Sequence, residues 1–315
     1  MSEDAVPVIS LKGVTRKFGD RIAVADVSVD LSPGRILGVV GESGSGKTTL
    51  ARLALGLLAP TSGEVLVRGM PYPRRGRALR EMRRTIGVVF QDPYDSLDPR
   101  MTIGDIVAEP LVGGSLPRSA QLDRVRSVLS AVGLGGADLD ARPARFSGGG
   151  RQRIAIARAL ALDPDVLVCD EPTASLDVSV QAQIINLLLG LRAERGLSMV
   201  FVSHDLHLVR RIADDLVVMY AGQVMEAGPA REVAFHPRHP YSQALLSAVP
   251  GDHPSRRALS GRDAVAAVTE VPASGCPFAP RCGFAQPDCR GSRPPMLEAI
   301  GGVQVACVHL DAVSA

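Results

Sequence analysis

Aromatic residues and lysine are scarce in this sequence. Only 3% of the 315 residues are aromatic and tryptophan is absent, so aliphatic and alanine side chains must build the core. The hydrophobic fraction of 46% indicates a globular chain and excludes a disordered one. All basic residues except Lys12, Lys17 and Lys47 are arginines, and the net charge is only +2. This near balance argues against a nucleic-acid-binding surface, so we expect no nucleic-acid partner.

Long apolar runs are also lacking. No run approaches the roughly 18 residues needed to span a bilayer. The first residues, Met1-Ser2-Glu3-Asp4, are acidic and lack the apolar segment of a signal peptide. We therefore expect a soluble, cytosolic chain that reaches a membrane only through a partner chain. Of its five cysteines, four follow residue 275, and in a reducing compartment such clustering favours metal binding over disulfides.

One glycine-rich stretch predicts a nucleotide site. It follows the apolar run Ile36–Val40 and precedes a helix-forming segment, so the pattern G-x-x-x-x-G-K-[ST] has the strand–turn–helix context that it requires. Glycines let backbone N–H groups face phosphate oxygens, and the helix N-terminus adds to that attraction. The alternative, a flexible turn with a solvated lysine, is disfavoured by these flanks. The predicted phosphate-binding residues are Gly41, Glu42, Ser43, Gly44, Ser45, Gly46, Lys47, Thr48 and Thr49.

Polar residues that follow later apolar strands predict catalytic groups. Gln91, the pair Asp170 and Glu171, and His204 each follow such a run. In α/β sheets the carboxyl ends of strands face the ligand crevice, so these side chains are expected to meet. Asp170, with Thr48, suits Mg²⁺, and Glu171 suits orientation or deprotonation of the attacking water. A lone histidine is more often structural, but His204, like Gln91 and Glu171, lies at the end of a predicted strand that faces the crevice.

Two further features are weaker signals. Ser147-Gly148-Gly149 precedes an apolar helical segment, so it can form a second anion-binding helix cap, although such caps are common. Phe18, one of few aromatics, lies on a predicted turn over residues 16–20. It either caps the sheet or offers a surface on which adenine stacks.

The sequence predicts an α/β protein with two parts. Predicted strands over 8–14 and 24–31 form an N-terminal antiparallel β part, and the strandless segment of about residues 100–160 predicts an inserted helical subdomain. Proline becomes frequent near His236 and periodicity fades. We expect an ATPase domain over 1–235 and a small, loop-rich extension over 236–315.

The four late cysteines are candidate metal ligands. Five, six and seventeen residues separate them in order, so the paired C-x₂-C knuckles that are usual for structural zinc are missing. Four thiolates at irregular spacing suit an iron–sulfur cluster, with Zn²⁺ or unliganded thiols as the alternatives. The ligands would be Cys276, Cys282, Cys289 and Cys307.

These motifs together resemble a known family over residues 8–235. Their order is typical of ABC-transporter ATPase subunits: the phosphate loop, Gln91, Ser147-Gly148-Gly149, Asp170-Glu171, Ser175-Leu176-Asp177 and His204. More narrowly, the chain is similar to oligopeptide/dipeptide importer ATPases and to their F-type subunit. That similarity rests on the runs at 90–93, 96–100 and 177–183, on the Arg-Gln-Arg-Ile-Ala-Ile-Ala-Arg-Ala-Leu run that follows Phe146 and Gly150, on His239-Pro240-Tyr241, and on Cys-Pro-Phe-Ala-Pro-Arg-Cys from Cys276.

The resemblance implies a role for each site residue. Two such domains pack head to tail, so that each ATP lies between the phosphate loop of one and the Ser-Gly-Gly of the other. Lys47 would then hold the β- and γ-phosphates, His204 would sense the γ-phosphate, and Glu171 would polarise water. Thr48, Gln91 and Asp170 would serve Mg²⁺; Phe18 would stack on adenine; Ser147, Gly148 and Gly149 would complete the partner's site; and Asp177 would link the two sites.

The resemblance also implies a transport function. ATP-driven closing and opening of the dimer would power import of oligopeptides or dipeptides through two membrane permeases, supplied by an extracytoplasmic solute-binding protein. The chain would then lie at the cytoplasmic face of the cell membrane, and its cysteine tail would hold a four-iron cluster. Similar machinery imports nickel chelates or glutathione. A soluble ABC ATPase that acts on ribosomes or DNA is a further alternative, disfavoured by the single phosphate loop and the near-neutral charge.

Two departures from the family pattern concern the second anion site. Gly150 occupies the position usually filled by glutamine, and Ala141-Arg142-Pro143-Ala144-Arg145 lacks the carboxylate often found there. Both weaken the site that this chain would complete for its partner, while its own site is intact. We therefore expect an asymmetric heterodimer in which this chain's own residues carry hydrolysis.

Overall fold

The computed structural model describes residues 6–73, 75–114, 116–247 and 274–310. The strands are β1 (Ile9–Phe18), β2 (Arg21–Leu31), β3 (Ile36–Val40), β4 (Ser62–Val67), β5 (Met70–Pro71), β6 (Ile86–Val89), β7 (Val166–Asp170), β8 (Ser198–Ser203), β9 (Asp215–Tyr220), β10 (Gln223–Pro229), β11 (Leu297–Ala299) and β12 (Val303–Val305). The α-helices are α1 (Lys47–Ala54), α2 (Gly76–Arg84), α3 (Pro93–Ser96), α4 (Ile103–Ala108), α5 (Arg118–Ala131), α6 (Gly148–Leu160), α7 (Val178–Arg195), α8 (Leu206–Ile212), α9 (Ala230–Phe235) and α10 (Pro240–Ser247).

A mixed eight-stranded sheet forms the centre of the molecule. Its order is β11-β12-β10-β9-β3-β8-β7-β6, with β9, β3, β8, β7 and β6 parallel and the other neighbours antiparallel. Strand β3 lies between β8 and β9 and is buried along its whole length. The phosphate loop that follows it therefore starts in the middle of the parallel part, as expected for a ligand site in an α/β sheet.

Two hydrophobic cores cover the two faces of this sheet, because successive side chains of a strand point to opposite faces. Ile36 and Val40 belong to one core, which also contains side chains of α4, α5 and α6. Leu37 and Val39 belong to the other core, which also contains side chains of β1, β2, β4 and α1. Burial on both faces explains why these strands read as continuous apolar runs.

A second, four-stranded antiparallel sheet has the order β2-β1-β4-β5. It confirms the N-terminal antiparallel β part, but the strands are longer than predicted. Arg16, Lys17 and Phe18 belong to β1, and the turn consists of Gly19 and Asp20 alone. Gly19 has φ +58°, which a tight two-residue turn requires.

The helical insertion is as predicted. From residue 97 to residue 160 the described residues contain helices, turns and coil, and no strand. Its apolar side chains pack on α6, which returns the chain to the sheet and contributes the buried residues Ile154, Ile156 and Leu160.

The C-terminal extension is loop-rich, as predicted, and its described residues include a short β-hairpin. The hairpin of β11 and β12 extends the central sheet, since Glu226 of β10 pairs with Val305 of β12. Weak periodicity concealed these strands because each has only three residues. Residues 248–273 of the predicted extension, and 311–315, lie outside the described part of the chain. Within the described part, no helix is both long and apolar enough to cross a membrane.

Candidate ATP site

The phosphate loop depends on glycine at two close approaches. Gly46 has φ +104° and precedes α1; a Cβ atom there would lie 2.5 Å from the carbonyl oxygen of Ala23. A Cβ on Gly41 would lie 2.2 Å from the carbonyl oxygen of Met219. Any larger residue would push the loop away from its neighbours. The sequence motif therefore has a steric cause in this fold.

Lys47 is held at the centre of the loop. Its Nζ donates to the carbonyl oxygens of Gly41, at 2.8 Å, and Glu42, at 2.9 Å. Burial lowers the pKa of Lys47, and the nearby carboxylates Glu171 and Asp170 oppose that shift. The buried hydroxyl of Ser45 has no hydrogen-bond partner among the described residues. An ammonium group and a free hydroxyl in one loop fit phosphate oxygens.

Asp170 lies next to Thr48 across the site. The Thr48 hydroxyl donates to Oδ1 of Asp170 at 3.3 Å, although the two residues are 122 positions apart in the sequence. Burial raises the pKa of Asp170, and the hydrogen bond from Thr48 opposes this effect. A buried carboxylate beside a hydroxyl oxygen is a donor pair that a hard cation such as Mg²⁺ prefers.

Glu171 and His204 come together at the ends of two neighbouring strands, β7 and β8. The distance from His204 Nδ1 to Glu171 Oε2 is 3.1 Å, and the side chains are 60% and 16% exposed respectively. Glu171 adopts φ +48°, an unusual conformation for a residue with a side chain, and its N–H donates to the carbonyl oxygen of Val202. This backbone turn directs the carboxylate to the end of the sheet.

One open cavity of about 1040 Å³ joins most of the predicted residues. Phe18 lines its rim, 46% exposed, with the Arg16 guanidinium 4.6 Å from its ring centroid. Gln91 lines both this cavity and a second cleft toward the helical insertion. The predicted residues that line the cavity are Phe18, Glu42, Ser43, Gly44, Ser45, Gly46, Lys47, Thr48, Thr49, Gln91, Glu171 and His204.

The Ser-Gly-Gly segment lies elsewhere. Ser147 caps α6 by accepting from the N–H of Gly150 at 3.2 Å, and Gly149 packs so closely on Val180 that an added Cβ would lie 2.5 Å from it. Asp177 caps α7 and accepts from the N–H of Val180, which lowers the pKa of Asp177. None of Ser147, Gly148, Gly149 and Asp177 is among the described residues that line the cavity. One chain thus presents two separate candidate anion-binding elements.

Comparison with known proteins matches this arrangement. Residues 24–174 match the ABC transporter family, and residues 225–289 match the C-terminal region of oligopeptide/dipeptide transporters. The dipeptide transport ATP-binding protein DppF of Haemophilus influenzae is 44% identical over 307 residues, which cover 95% of this chain and 93% of that protein. The chain belongs to the ABC-transporter ATP-binding proteins of the oligopeptide/dipeptide type. As a member of this family it is an ATPase whose hydrolysis is coupled to transport.

Solved structures agree with the fold of this family. The structure of cbiO1 from Clostridium perfringens, part of the ABC transporter complex cbiONQ, is 29% identical with a TM-score of 0.67, and the match covers 72% of this chain and 90% of that one. The dimeric, post-hydrolysis structure of the ATP-binding cassette MJ0796, bound to ADP and Pi, is 31% identical with a TM-score of 0.63. That match covers 71% of this chain and 99% of the other. The ABC ATPase fold predicted from the sequence is confirmed.

The four late cysteines lie together in the extension. Cys276, Cys282, Cys289 and Cys307 all line one small cavity and none forms a disulfide. Burial raises the pKa of Cys276, of Cys307 and of Cys282, the last to about 11, and the neighbouring thiols add to each of these shifts. Four thiols that converge on one cavity fit a metal centre, because a cation stabilises the thiolate form.

Sequence reasoning missed several residues around these sites. Ligand atoms of Asp288, Cys289 and His309 lie within 4.8 Å of one another, and His309 Nε2 is 2.8 Å from Asp288 Oδ1. Arg281 and Tyr241 contact Glu42 of the phosphate loop. The only sequence signal for Tyr241 and Arg281 was their place within the His-Pro-Tyr and Cys-Pro-Phe-Ala-Pro-Arg-Cys runs.

Proposed function

We propose that this chain hydrolyses MgATP to power import of oligopeptides or dipeptides through a membrane ABC transporter. The observation that carries the proposal is the convergence of Lys47, Glu171 and His204 on one cavity beside the phosphate loop, with Asp170 hydrogen-bonded to Thr48 of that loop. The cargo class rests on the extension, whose residues 225–289 match the oligopeptide/dipeptide family region, and on the name of the Haemophilus influenzae relative.

The hydrolytic step uses this chain's own groups. Lys47 attracts the β- and γ-phosphates, and the N-terminus of α1 adds positive potential. Glu171 orients the attacking water and accepts its proton, while His204 holds the Glu171 carboxylate and faces the γ-phosphate. With His204 Nδ1 donating to Glu171, its Nε2 is left to face the phosphate.

Thr48, Gln91 and Asp170 are the proposed magnesium ligands. All three offer oxygen donors, and Thr48 and Asp170 already lie 3.3 Å apart. Bound Mg²⁺ would neutralise charge that develops on the β- and γ-phosphate oxygens.

A second ATPase chain would complete the site. In a head-to-tail dimer, Ser147, Gly148 and Gly149, which do not line this chain's own cavity, would bind the partner's nucleotide, and Asp177 would link the two sites. The MJ0796 cassette is described as dimeric with ADP and Pi bound. Gly150 provides no amide side chain at this helix start, where the family usually has glutamine. This favours a heterodimer with unequal sites.

The proposed permease contact is the cleft between the central sheet and the helical insertion. Gln91 lines this cleft and the ATP cavity, so it touches both. Arg158 and Glu109 line the far side and lie 3.8 Å apart. Two permeases and an extracytoplasmic solute-binding protein would form the rest of the importer, with this chain at the cytoplasmic face of the membrane.

For the extension we propose a four-iron, four-sulfur cluster held by Cys276, Cys282, Cys289 and Cys307. Their common cavity supports four thiolate ligands. Zn²⁺ is the alternative, for which His309 beside Cys289 adds a nitrogen donor. The extension over 236–315 would then be a metal-stabilised unit built onto an ATPase domain over 1–235.

The test is ATP-driven uptake by the importer reconstituted in vesicles from this chain and its partner subunits. Wild type should accumulate labelled dipeptide or oligopeptide, and Lys47→Ala should abolish uptake. The exposed Lys12 provides the matched control, since Lys12→Ala should leave uptake unchanged. Uptake that persists in Lys47→Ala would refute the ATPase role. Uptake of nickel chelates or glutathione in place of peptide would refute the cargo class alone.

A further inference from the structure

Glu42 carries a negative charge within the predicted phosphate-binding loop. Its backbone carbonyl accepts from Lys47 Nζ at 2.9 Å, so its position affects the main phosphate-binding cation directly. Its carboxylate, however, repels an incoming polyphosphate unless another group compensates it. A cationic partner outside the phosphate loop would reduce this repulsion and leave Lys47 available for the phosphates.

Arg281 supplies that partner from the other end of the chain. Its two terminal nitrogens donate to the two carboxylate oxygens of Glu42 at 3.0 and 3.1 Å, a bidentate pair. The Arg281 side chain is only 12% exposed and that of Glu42 36% exposed, which limits screening by solvent. Arg281 also donates to the Tyr220 hydroxyl at 3.3 Å. These contacts fix the guanidinium in one place.

A second contact of the extension holds the backbone of the same residue. The N–H of Glu42 donates to the hydroxyl of Tyr241 at 3.0 Å. Tyr241 is buried and packs against Tyr220 and Phe278, with ring centroids 4.7 and 5.3 Å away. The N–H, carbonyl and carboxylate of Glu42 are thus all engaged, two of them by the extension.

The cysteines bracket the segment that carries Arg281. Residues 276–282 form one compact turn in which Ala279 donates to the carbonyl oxygen of Cys276 and Cys282 to that of Ala279. Phe278, in this turn, belongs to the aromatic cluster, and Arg281 immediately precedes Cys282. A ligand that binds both Cys276 and Cys282 therefore restrains the turn that places the guanidinium.

We infer that Arg281 is a positioning residue for ATP binding, and that the cysteine centre sets this chain's affinity for ATP through the Arg281–Glu42 pair. The second half rests on the proposed metal-binding role of the cysteines. Arg281 neutralises Glu42 and fixes the loop that holds Lys47. Loss of the ligand at the cysteines frees the turn, withdraws the guanidinium and leaves the Glu42 carboxylate facing the phosphates.

The test measures the Kd of the full-length chain for MgATP by displacement of a fluorescent ATP analogue. Arg281→Ala should raise Kd about five- to tenfold, at the lower end of known couplings between sites. Arg281→Lys should restore part of the affinity. Arg293→Ala should have no effect on Kd, because the Arg293 guanidinium pairs with the carboxylate of Asp26, 3.9 Å away, and not with Glu42. In turnover assays Arg281→Ala should raise KM and leave kcat within about twofold.

Glu42→Gln separates this role from a general loss of structure. If Arg281 acts by neutralising Glu42, Arg281→Ala should have little effect on Kd in a Glu42→Gln background, whereas damage to the fold would persist there. A full additional loss in that background would overturn the inference.

The cysteine step is tested with the double variant Cys276→Ser/Cys282→Ser. It should lose its metal and raise Kd by the same factor as Arg281→Ala, with no further loss when the changes are combined. Unchanged Kd in Arg281→Ala, or in the cysteine variant, would overturn the inference and leave the proposed ATPase function intact. Failure of the wild-type chain to bind MgATP would overturn both.

Discussion

His204 Nδ1 lies 3.1 Å from Oε2 of Glu171, and the two side chains reach each other from the ends of adjacent parallel strands. This contact orients the carboxylate of Glu171, the residue that follows the proposed magnesium ligand Asp170. It depends on the left-handed backbone of Glu171, with φ +48°, which turns the chain as it leaves β7. Hydrolysis should therefore depend on this pair more than ATP binding does.

Replacing Glu171 should separate hydrolysis from binding. We expect Glu171→Gln to lower ATP turnover of the assembled complex at least about 100-fold, because a general base typically contributes about 10² to 10⁴. MgATP affinity should stay within a few-fold, since Lys47 and the phosphate loop are unchanged. Phosphate release and nucleotide binding are the measurements. Glu194→Gln, on the exposed face of α7, is the control, and unchanged turnover in Glu171→Gln would contradict the assignment.

The second anion-binding element should act on the partner's nucleotide. Gly149→Ala places a Cβ 2.5 Å from Val180 Cγ1, so the Val180 side chain or the start of α6 must move. We expect a several-fold loss of ATPase activity in the complex, while the Kd of the isolated chain for ATP is unchanged because Gly149 does not line its cavity. Gly190→Ala, at an open position on α7, is the matched glycine control. A change in the isolated chain's Kd would place Gly149 in its own site.

The iron and sulfide content should depend on the four clustered cysteines of the extension and not on the fifth cysteine, Cys169. Cys282→Ser should remove most of the bound iron and sulfide from anaerobically purified protein, because one of four converging ligands is lost. Cys169→Ala should retain them, since Cys169 is fully buried within β7 and burial raises its thiol pKa. Iron, sulfide and zinc analyses provide the measurement. Zinc in place of iron would reject the cluster, and equal loss in Cys169→Ala would reject the cysteine assignment.

The buried His239 should make the free energy of unfolding depend on pH. It is 1% exposed, its Nδ1 accepts from the N–H of Tyr241, and burial lowers its pKa from 6.5 to about 4. Between these values the unfolded state binds a proton that the folded state does not. The free energy of unfolding should therefore fall as the pH drops from 6.5 toward 4, by up to about 3 kcal/mol.

His239→Asn keeps a hydrogen-bond acceptor and removes the titration. Urea unfolding of both proteins at pH 7.5 and pH 5 measures the difference. The stability advantage of the wild type should shrink at pH 5. Parallel losses in the two proteins would show that His239 is not the group responsible.

The strands of the central sheet were predictable because burial on both faces leaves uninterrupted apolar runs. The apolar runs that precede Glu171 and His204 are β7 and β8, and these two polar residues were correctly expected to meet. The full length of β1 was not, since Arg16 and Lys17 are polar and their strand pairing comes from β2. The three-residue strands β11 and β12 were missed for a related reason, because so short a segment has no detectable period.

The sequence by itself determined the phosphate loop, since the spacing of its glycines, the charge of Lys47 and the flanking strand and helix patterns are all local. It also determined the order of Gln91, Ser147, Asp170, Glu171 and His204, from which the family follows. Only the tertiary structure decided that Ser147 and Gly149 lie apart from this chain's own cavity. Only the tertiary structure joined Arg281 to Glu42, 239 residues away. Such a contact arises from packing of the extension on the central sheet, and no local pattern of residues encodes it.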